Sequence, residues 1–491
     1  MLSVSVMSSF HLWLLFASWF VPDEVYQSSE VAHHVVYSTG HLSWEWAHSL
    51  RSVIHPLLIV FVRLLGMDSQ VVVANAPRVI HALLFSIGDI AFAKLCRRLL
   101  PTKEGAIYST LTYVSCWFVF YCAPRTLSNS LEAAVTLIAL TWYPFEGAHY
   151  KGLVWPYMSL GMITITIRPT AALIWLVLGA VHLIKHTNPL RFMICTVLPA
   201  ILPVFVTVII LDSVAYSYPT CTMWNFLSFN VLKGGSAHFG VHPWHWYFTM
   251  GLTSVLTVQL VPIILGIFSP QRPGALLLCT AVFYIGFHSF LPHKEQRFLL
   301  PIIPFLCVYA GPFFTNRRHY SFMKTVMKMM VIVNIIIAAY TGLRHQVGPY
   351  NAADSILKLA KPNASIIALM PCYSIPGHSY FHNHLFSIRQ LDCSPDLSGN
   401  GIMDEADTFH KDPATWLDLN WPEIENYSYI LIYQKMFNRV SEMFGEHEFI
   451  TCDNVFHADF LTSTRQDHYI LNNSAVFYLL LLLWLNYINL I

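Results

Sequence analysis

Apolar runs close to the length of a bilayer crossing recur along almost the whole chain, and nothing else in the sequence limits its fold so strongly. They lie near residues 77–95, 106–121, 129–145, 152–167, 171–185, 192–211, 247–267, 275–291, 298–314, 326–342 and 475–491, after a first apolar segment at 10–21. A spanning helix needs about 20 apolar residues, fewer where the bilayer thins. Of 491 residues, 55% are hydrophobic and 11% charged, where a soluble domain carries about 25% charged residues. A polytopic α-helical membrane protein with about 11–12 transmembrane helices is therefore expected. Segment 10–21 lacks the basic start and small-residue cleavage site of a signal peptide and reads as a retained span. Segment 54–66 is short and holds Arg63, so it reads as interfacial or half-inserted. Segments 152–167 and 171–185 are short and Pro-flanked enough to be bent or re-entrant.

Several function classes are weakened at once. A net charge of +1 leaves no basic stripe for a nucleic acid. No internal repeat supports a secondary transporter, and no Gly-rich phosphate loop supports a pump. Cys96, Cys116, Cys122, Cys195, Cys279 and Cys307 lie in apolar segments and read as small core residues. No CxxC or Cys/His spacing suggests a metal, and none is expected.

Orientation follows from the basic loops. Lys94, Arg97, Arg98 and Lys103 form one cluster, and Lys151, Lys185 with Arg191, Arg272, and Arg317, Arg318, Lys324 and Lys328 form the others. Alternating these as cytoplasmic agrees with the order of spans. The polar tract 343–474 then faces the lumen, and it carries sequons at Asn363, Asn426 and Asn472, which matter only in that compartment. Asn472 is too near the last span to be used, which leaves Asn363 and Asn426 as the candidate glycosylation sites. Segments 365–370 and 429–434 read as strands and 413–419 as a short helix, so the tract is expected to be a small α+β domain. Cys372, Cys393 and Cys452 allow one disulfide in an oxidising lumen, and Cys372–Cys393 is the pairing we favour. The expected organisation is a membrane module at 1–342 with a first lumenal loop at 22–76, the lumenal domain at 343–474, and a closing transmembrane segment at 475–491.

Under this topology the polar clusters gather at lumenal loop ends. The first loop carries Asp23 and Glu24 side by side, then Glu30, His33, His34, Glu45 and Arg51 among Tyr26, Trp44 and Trp46. A carboxylate near the bilayer costs roughly 2.5–3.5 kcal/mol on insertion scales, so it tends to face a cavity or a site. The alternative is a polar loop with an aromatic interface belt. Arg125 and Arg168 stand in other lumenal loops, and His293, Lys294, Glu295 and Arg297 crowd four ionisable groups between two apolar spans. Such cations can neutralise a lipid phosphate; the competing reading is a snorkelling pair with a local Glu partner.

These residues carry a resemblance. PDEVYQSSEVAHH and LSWEWAHSLRS within 22–52, IRPTA at 167–171 and HKEQRFLLPIIPF at 293–305 resemble the GT-C mannosyltransferases that use dolichyl-phosphate mannose. The tail motifs MPCYSIPGHSYFH at 370–382, LDCSPDLSG at 391–399 and DEADTFHKDPATWL at 404–417 resemble the branch that adds the third mannose of the GPI anchor. The resemblance implies an endoplasmic-reticulum membrane enzyme with its active site on the lumenal side. Its donor would be dolichyl-phosphate mannose and its acceptor a GPI precursor glycolipid; no cofactor, metal or nucleic acid is implied, and helper subunits are left open. An α product from a β-linked donor requires inversion, with a general base at the acceptor hydroxyl and cations around the departing phosphate. Asp23 and Glu24 are the candidate bases, with Asp23 slightly preferred; repulsion between them would set one to titrate high. His293, Lys294, Arg297 and Arg168 are candidates for the donor phosphate. Glu295 would orient Lys294 and Arg297, while Glu45, Trp46, Arg51 and Arg125 would support the loop or the acceptor. His33 and His34 read as structural. A mannosyltransferase of the dolichol-linked oligosaccharide pathway shares the first-loop and HKE-x-RF motifs and is the alternative. A multispan transporter or flippase is more distant, since its polar residues would sit mid-span.

Overall fold

The computed structural model describes residues 18–64, 66, 68–145, 152–315, 320–396, 403–458 and 475–482. The expected first span lies, up to residue 17, outside the described residues, as do Lys151, Arg317, Arg318, Asn472 and residues 483–491. The chain separates into two compact units. One holds His48–Leu58 and Arg78–Ala339, and the other holds Phe16–Ala47, Ile59–Pro77 and Tyr340–Ile491, taken over the described residues. Much of the first loop thus falls in the same unit as the C-terminal region.

Four helices among the described residues are long and apolar enough to cross a membrane: Gln70–Leu99, Pro189–Tyr216, Tyr247–Ile267 and Ser321–Leu359. Ser128–Leu140, Pro169–Lys185, Leu276–Phe290 and Gln296–Cys307 are apolar but shorter. Proline explains part of the shortening. The expected span at 298–314 begins as a 3-10 turn, Gln296–Ile302, and continues as two short helices, Ile303–Cys307 and Ala310–Phe314. Pro301, Pro304 and Pro312 fall along it, and each removes a backbone donor. The expected span at 106–121 breaks at Cys116 into Lys103–Val114 and Trp117–Cys122. The helix Lys103–Val114 meets Ala310–Phe314 backbone to backbone. A Cβ on Gly311 would stand 2.1 Å from the Gly105 carbonyl oxygen, so only glycine fits there. Ser109 secures the crossing by donating to the Val308 carbonyl at 2.7 Å and accepting from the Gly311 N–H at 3.0 Å.

The pair of segments around Arg168 is bent, as the sequence suggests. The helix Trp155–Ile167 stops at Arg168, whose backbone is extended at φ −145° and ψ 102°. Pro169 follows, and a residue before proline is driven out of the helical region. The chain resumes as the turn Pro169–Ala171 and the helix Ala172–Lys185. The break sets a charged side chain at the junction of two apolar helices.

The second unit is built on a five-stranded sheet of order β2-β1-β3-β5-β4, with β1 Ala364–Leu369, β2 Leu385–Gln390, β3 Tyr429–Tyr433, β4 Phe449–Ala458 and β5 Ala475–Leu482. Strands β2, β1 and β3 run parallel, and β5 runs antiparallel to both β3 and β4. The core follows the two-residue period of a strand. Ile367, Leu369, Ile430 and Ile432 pack with Phe409, Leu417 and Phe444. Ile366, Ala368, Tyr429 and Leu431 pack with Ala353, Ile356 and Phe381. Both faces are covered, so β1 and β3 read as continuous apolar runs in the sequence. The strands expected at 365–370 and 429–434 are β1 and β3, and the helix expected at 413–419 is Pro413–Ile424.

The closing transmembrane segment needs correction. Residues 475–482 are not helical but form β5, hydrogen-bonded on both sides within the sheet. An interior strand is apolar throughout, and over eight residues hydropathy cannot tell it from part of a spanning helix.

Cys372 and Cys393 are joined in a disulfide with Cα atoms 5.9 Å apart, linking the segments that follow β1 and β2. Cys452, in β4, takes no part in that bond. Cys393→Ser should destabilise the protein by about 2–4 kcal/mol. Thermal unfolding in detergent checks this: the variant should match reduced wild type and fall below oxidised wild type.

Candidate functional site

Chemistry-bearing residues form one cluster in each unit. In the second unit, Pro22 opens a helix whose first turn holds Asp23 and Glu24, where the helix dipole favours negative charge. The helix runs through a five-residue π turn, Val25–Ser29, into Glu30–Tyr37. The two adjacent carboxylates meet different surroundings. Glu24 is 0% exposed, and its Oε1 lies 3.3 Å from the Phe20 N–H, whereas Asp23 is half-buried. One turn on, the Gln27 amide donates to Asp23 Oδ2 at 2.6 Å and to Glu45 Oε2 at 3.0 Å. A neutral amide with two donors thus bridges two acids. Trp46 is buried and donates its indole N–H to the Tyr26 carbonyl at 3.2 Å, which closes the loop onto the helix.

In the first unit the charges are cationic and interlocked. Arg297 binds Glu295 with two nitrogens, Nε to Oε2 at 2.6 Å and Nη2 to Oε1 at 2.8 Å. His293 Nε2 meets the same Oε1 at 2.7 Å. Burial alone would raise the Glu295 pKa, but Arg297 and the bonds from His293 and Arg297 hold it well below the usual carboxylate range. Lys294 does not join this pair. It is buried, which lowers its pKa, and its ammonium donates to the His242 carbonyl at 3.0 Å and to the Leu291 carbonyl. Glu295 therefore orients Arg297 and His293, not Lys294 as the sequence suggests.

Arg168 reaches the same region. Its Nη1 donates to Asn129 Oδ1 at 3.1 Å, and Asn129 Nδ2 donates to the Arg297 carbonyl at 3.1 Å. Both guanidinium groups lie over the Phe298 ring, at 4.8 Å for Arg168 and 5.6 Å for Arg297. Arg168 Nε is 3.0 Å from Glu132 Oε2, close enough for an ion pair although the N–H does not point at the oxygen. Arg125 stacks instead over Tyr121 at 3.9 Å, and Arg51 over Phe226 at 5.4 Å. Among the described residues no three His, Cys, Asp or Glu side chains are placed to hold a metal ion.

Sequence reasoning picked out most of these residues but missed Asn129, Glu132 and Gln27. Glu132 had a readable signal, a lone acid inside an apolar helix. Gln27 stands four residues from Asp23, the spacing at which helical side chains meet. His33 is buried, with its Nδ1 at 2.6 Å from the Thr39 carbonyl and its Nε2 at 3.1 Å from His382 Nδ1.

Three likenesses bear on this arrangement. The sequence pattern of the Alg9-like mannosyltransferase family matches residues 2–382. The chain is 36% identical to a human GPI alpha-1,2-mannosyltransferase 3, over 81% of this chain and 73% of that one. It is 32% identical to a protein of the same description from Danio rerio, over 90% of this chain and 83% of the other. In fold, the crystal structure of ArnT from Cupriavidus metallidurans bound to undecaprenyl phosphate superposes with a TM-score of 0.58. That match covers 97% of both chains at 13% identity, and it carries the GT-C fold alone.

Proposed function

Because the chain belongs to the Alg9-like mannosyltransferase family, we propose that its half-buried first-loop acid drives the transfer of the third mannose, in α1,2 linkage, onto the GPI precursor. The enzyme is a multi-pass GPI mannosyltransferase. Its donor is dolichyl-phosphate mannose, its acceptor is the GPI intermediate carrying two mannoses, and it works in the endoplasmic-reticulum membrane from the lumenal side. The observation that carries the mechanism is the unequal burial of the acidic pair. Glu24 is fully enclosed, while Asp23 retains exposure and is held by Gln27.

In a single displacement, the acceptor oxygen forms a bond to mannose C1 and gives its proton to the Asp23 carboxylate. The bond from C1 to the phosphate oxygen breaks, and its electron pair leaves with dolichyl phosphate. Charge grows on that phosphate, and Arg297, Arg168 and His293 are the groups we assign to it. Glu295 and Phe298 hold the two arginines in place. Lys294 supports the loop through its carbonyl contacts and adds positive charge. Glu45 acts through Gln27, and Trp46 keeps the first loop closed. Arg51 and Arg125 are left to support the fold or the acceptor. The leaving charge is met by side chains, so the mechanism takes no metal or other cofactor.

The test is complementation of cells that lack the third GPI mannosyltransferase. Rescue of surface GPI-anchored protein by wild type, with loss of the intermediate stalled at two mannoses, supports the assignment. Failure despite correct expression, or repair of a truncated lipid-linked oligosaccharide instead, overturns it. Orientation has its own readout. Asn363 and Asn426 are both exposed, so each should carry a glycan. Asn363→Gln and Asn426→Gln should each remove one endoglycosidase-sensitive mobility step; a wild-type chain that enzyme does not shift would oppose a lumenal domain.

A further inference from the structure

The first-loop helix is fastened to the sheet domain by a side chain that the proposed mechanism does not use. Glu30 is 0% exposed, yet its carboxylate is saturated by backbone donors. Oε1 accepts from the His378 N–H at 2.8 Å and the His41 N–H at 3.0 Å, and Oε2 accepts from the Ser379 N–H at 2.8 Å. Hydrogen bonds to an ionised acceptor are about twice as strong as neutral ones, and a buried carboxylate without them would be expelled. The opposing wall is shaped for it. A Cβ on Gly377 would come within 2.4 Å of Oε1, so a glycine stands where the carboxylate enters. A second tie runs one turn earlier, where the Tyr26 hydroxyl donates to the Ile375 carbonyl at 2.8 Å and accepts from Gln390. Glu30 and Asp23 lie on one continuous helix, and His378 follows β1 in the sheet domain.

From this clamp we infer that Glu30 is a positioning residue: its buried carboxylate sets where Asp23 stands by locking the first-loop helix to the turn around His378. The C-terminal domain is then a rigid mount for the base. The inference rests on the reading of Asp23 as that base. It also accounts for the IPGHSYFH stretch, which carries three of the groups involved: the Ile375 carbonyl and the His378 and Ser379 amides.

The experiment compares full-length wild type, Glu30→Gln, Glu30→Ala and Gly377→Ala in a microsomal transfer assay, with kcat and KM counted per mole of disulfide-intact enzyme. A misplacement of about 1 Å costs about 100-fold in rate. Glu30→Ala and Gly377→Ala should lose about that factor in kcat with KM unchanged, and Glu30→Gln, which keeps one accepting oxygen, should fall between. Wild-type kcat with only the yield reduced, or a raised KM with kcat retained, would overturn the inference. Should Glu30→Ala not fold, Glu30→Gln and Gly377→Ala carry the test. Hydrogen exchange separates this idea from the assignment of function. The amides of His41, His378 and Ser379 should lose protection in the Glu30 variants, and unchanged protection sinks the clamp whether or not wild type transfers mannose.

Discussion

Asp23→Asn should lower mannose transfer by about 10²–10⁴-fold, the range a positioned general base supplies. The substitution is nearly isosteric, and the asparagine oxygen still accepts from Gln27, so the loop should keep its shape. The loss should fall on kcat with little change in KM, because proton removal is felt only in the transition state. Glu24→Gln is the control within the same turn. Glu24 is enclosed and accepts from the Phe20 N–H four residues upstream, so its substitution should cost stability more than turnover. Transfer by purified membranes, normalised to folded enzyme, distinguishes the two. If Glu24→Gln loses the larger factor in kcat while Asp23→Asn turns over normally, the base is Glu24.

The second large effect belongs to Arg297. Arg297→Ala should reduce kcat by about 10²–10³-fold, the cost of removing one preorganised group that meets developing charge. The side chain holds Glu295 with two nitrogens, which fixes the orientation of its planar, permanently charged guanidinium. Arg297→Lys keeps the charge and loses the fork, so it should recover only part of the rate. Arg125→Ala, on a guanidinium stacked over Tyr121, should cost less. The assay is donor turnover at saturating acceptor; an Arg297→Ala enzyme with wild-type kcat would remove Arg297 from the donor phosphate. The pair also has an acid signature. Glu295 is held below its usual pKa in the folded state, so its stabilisation is complete above the ordinary carboxylate range near about 4.3 and is lost as pH falls through the depressed value. Glu295→Gln should flatten that part of the stability profile in detergent.

The order of legibility follows from physics. The apolar runs declared a membrane protein, because no other fold tolerates so few charges. Helix ends inside those runs were less readable. The breaks at Cys116 and Arg168 come from single backbone residues, and only the second has a proline to announce it. The acidic pair and the HKE-x-RF loop stood out through charge density in apolar surroundings. The partners that orient them did not, because Gln27 and Asn129 are neutral amides whose role depends on which side chains lie opposite. Lys294 shows the reverse limit: sequence places it beside Glu295, yet its ammonium turns to backbone carbonyls instead.

The strand order has a consequence for how the protein is made. β5 comes last in the chain among the described strands, yet it sits between β3 and β4. During synthesis, at roughly 5–20 residues per second, β1, β2 and β3 can pair as they emerge, but β4 has no neighbour until residues 475–482 arrive. Until then β3 and β4 both present open edges, which invite pairing with other chains. Any premature stop before residue 475 would make that transient state permanent. Such alleles should yield a translated but misassembled lumenal domain, retained and degraded by quality control, even though every proposed catalytic residue has already been synthesised.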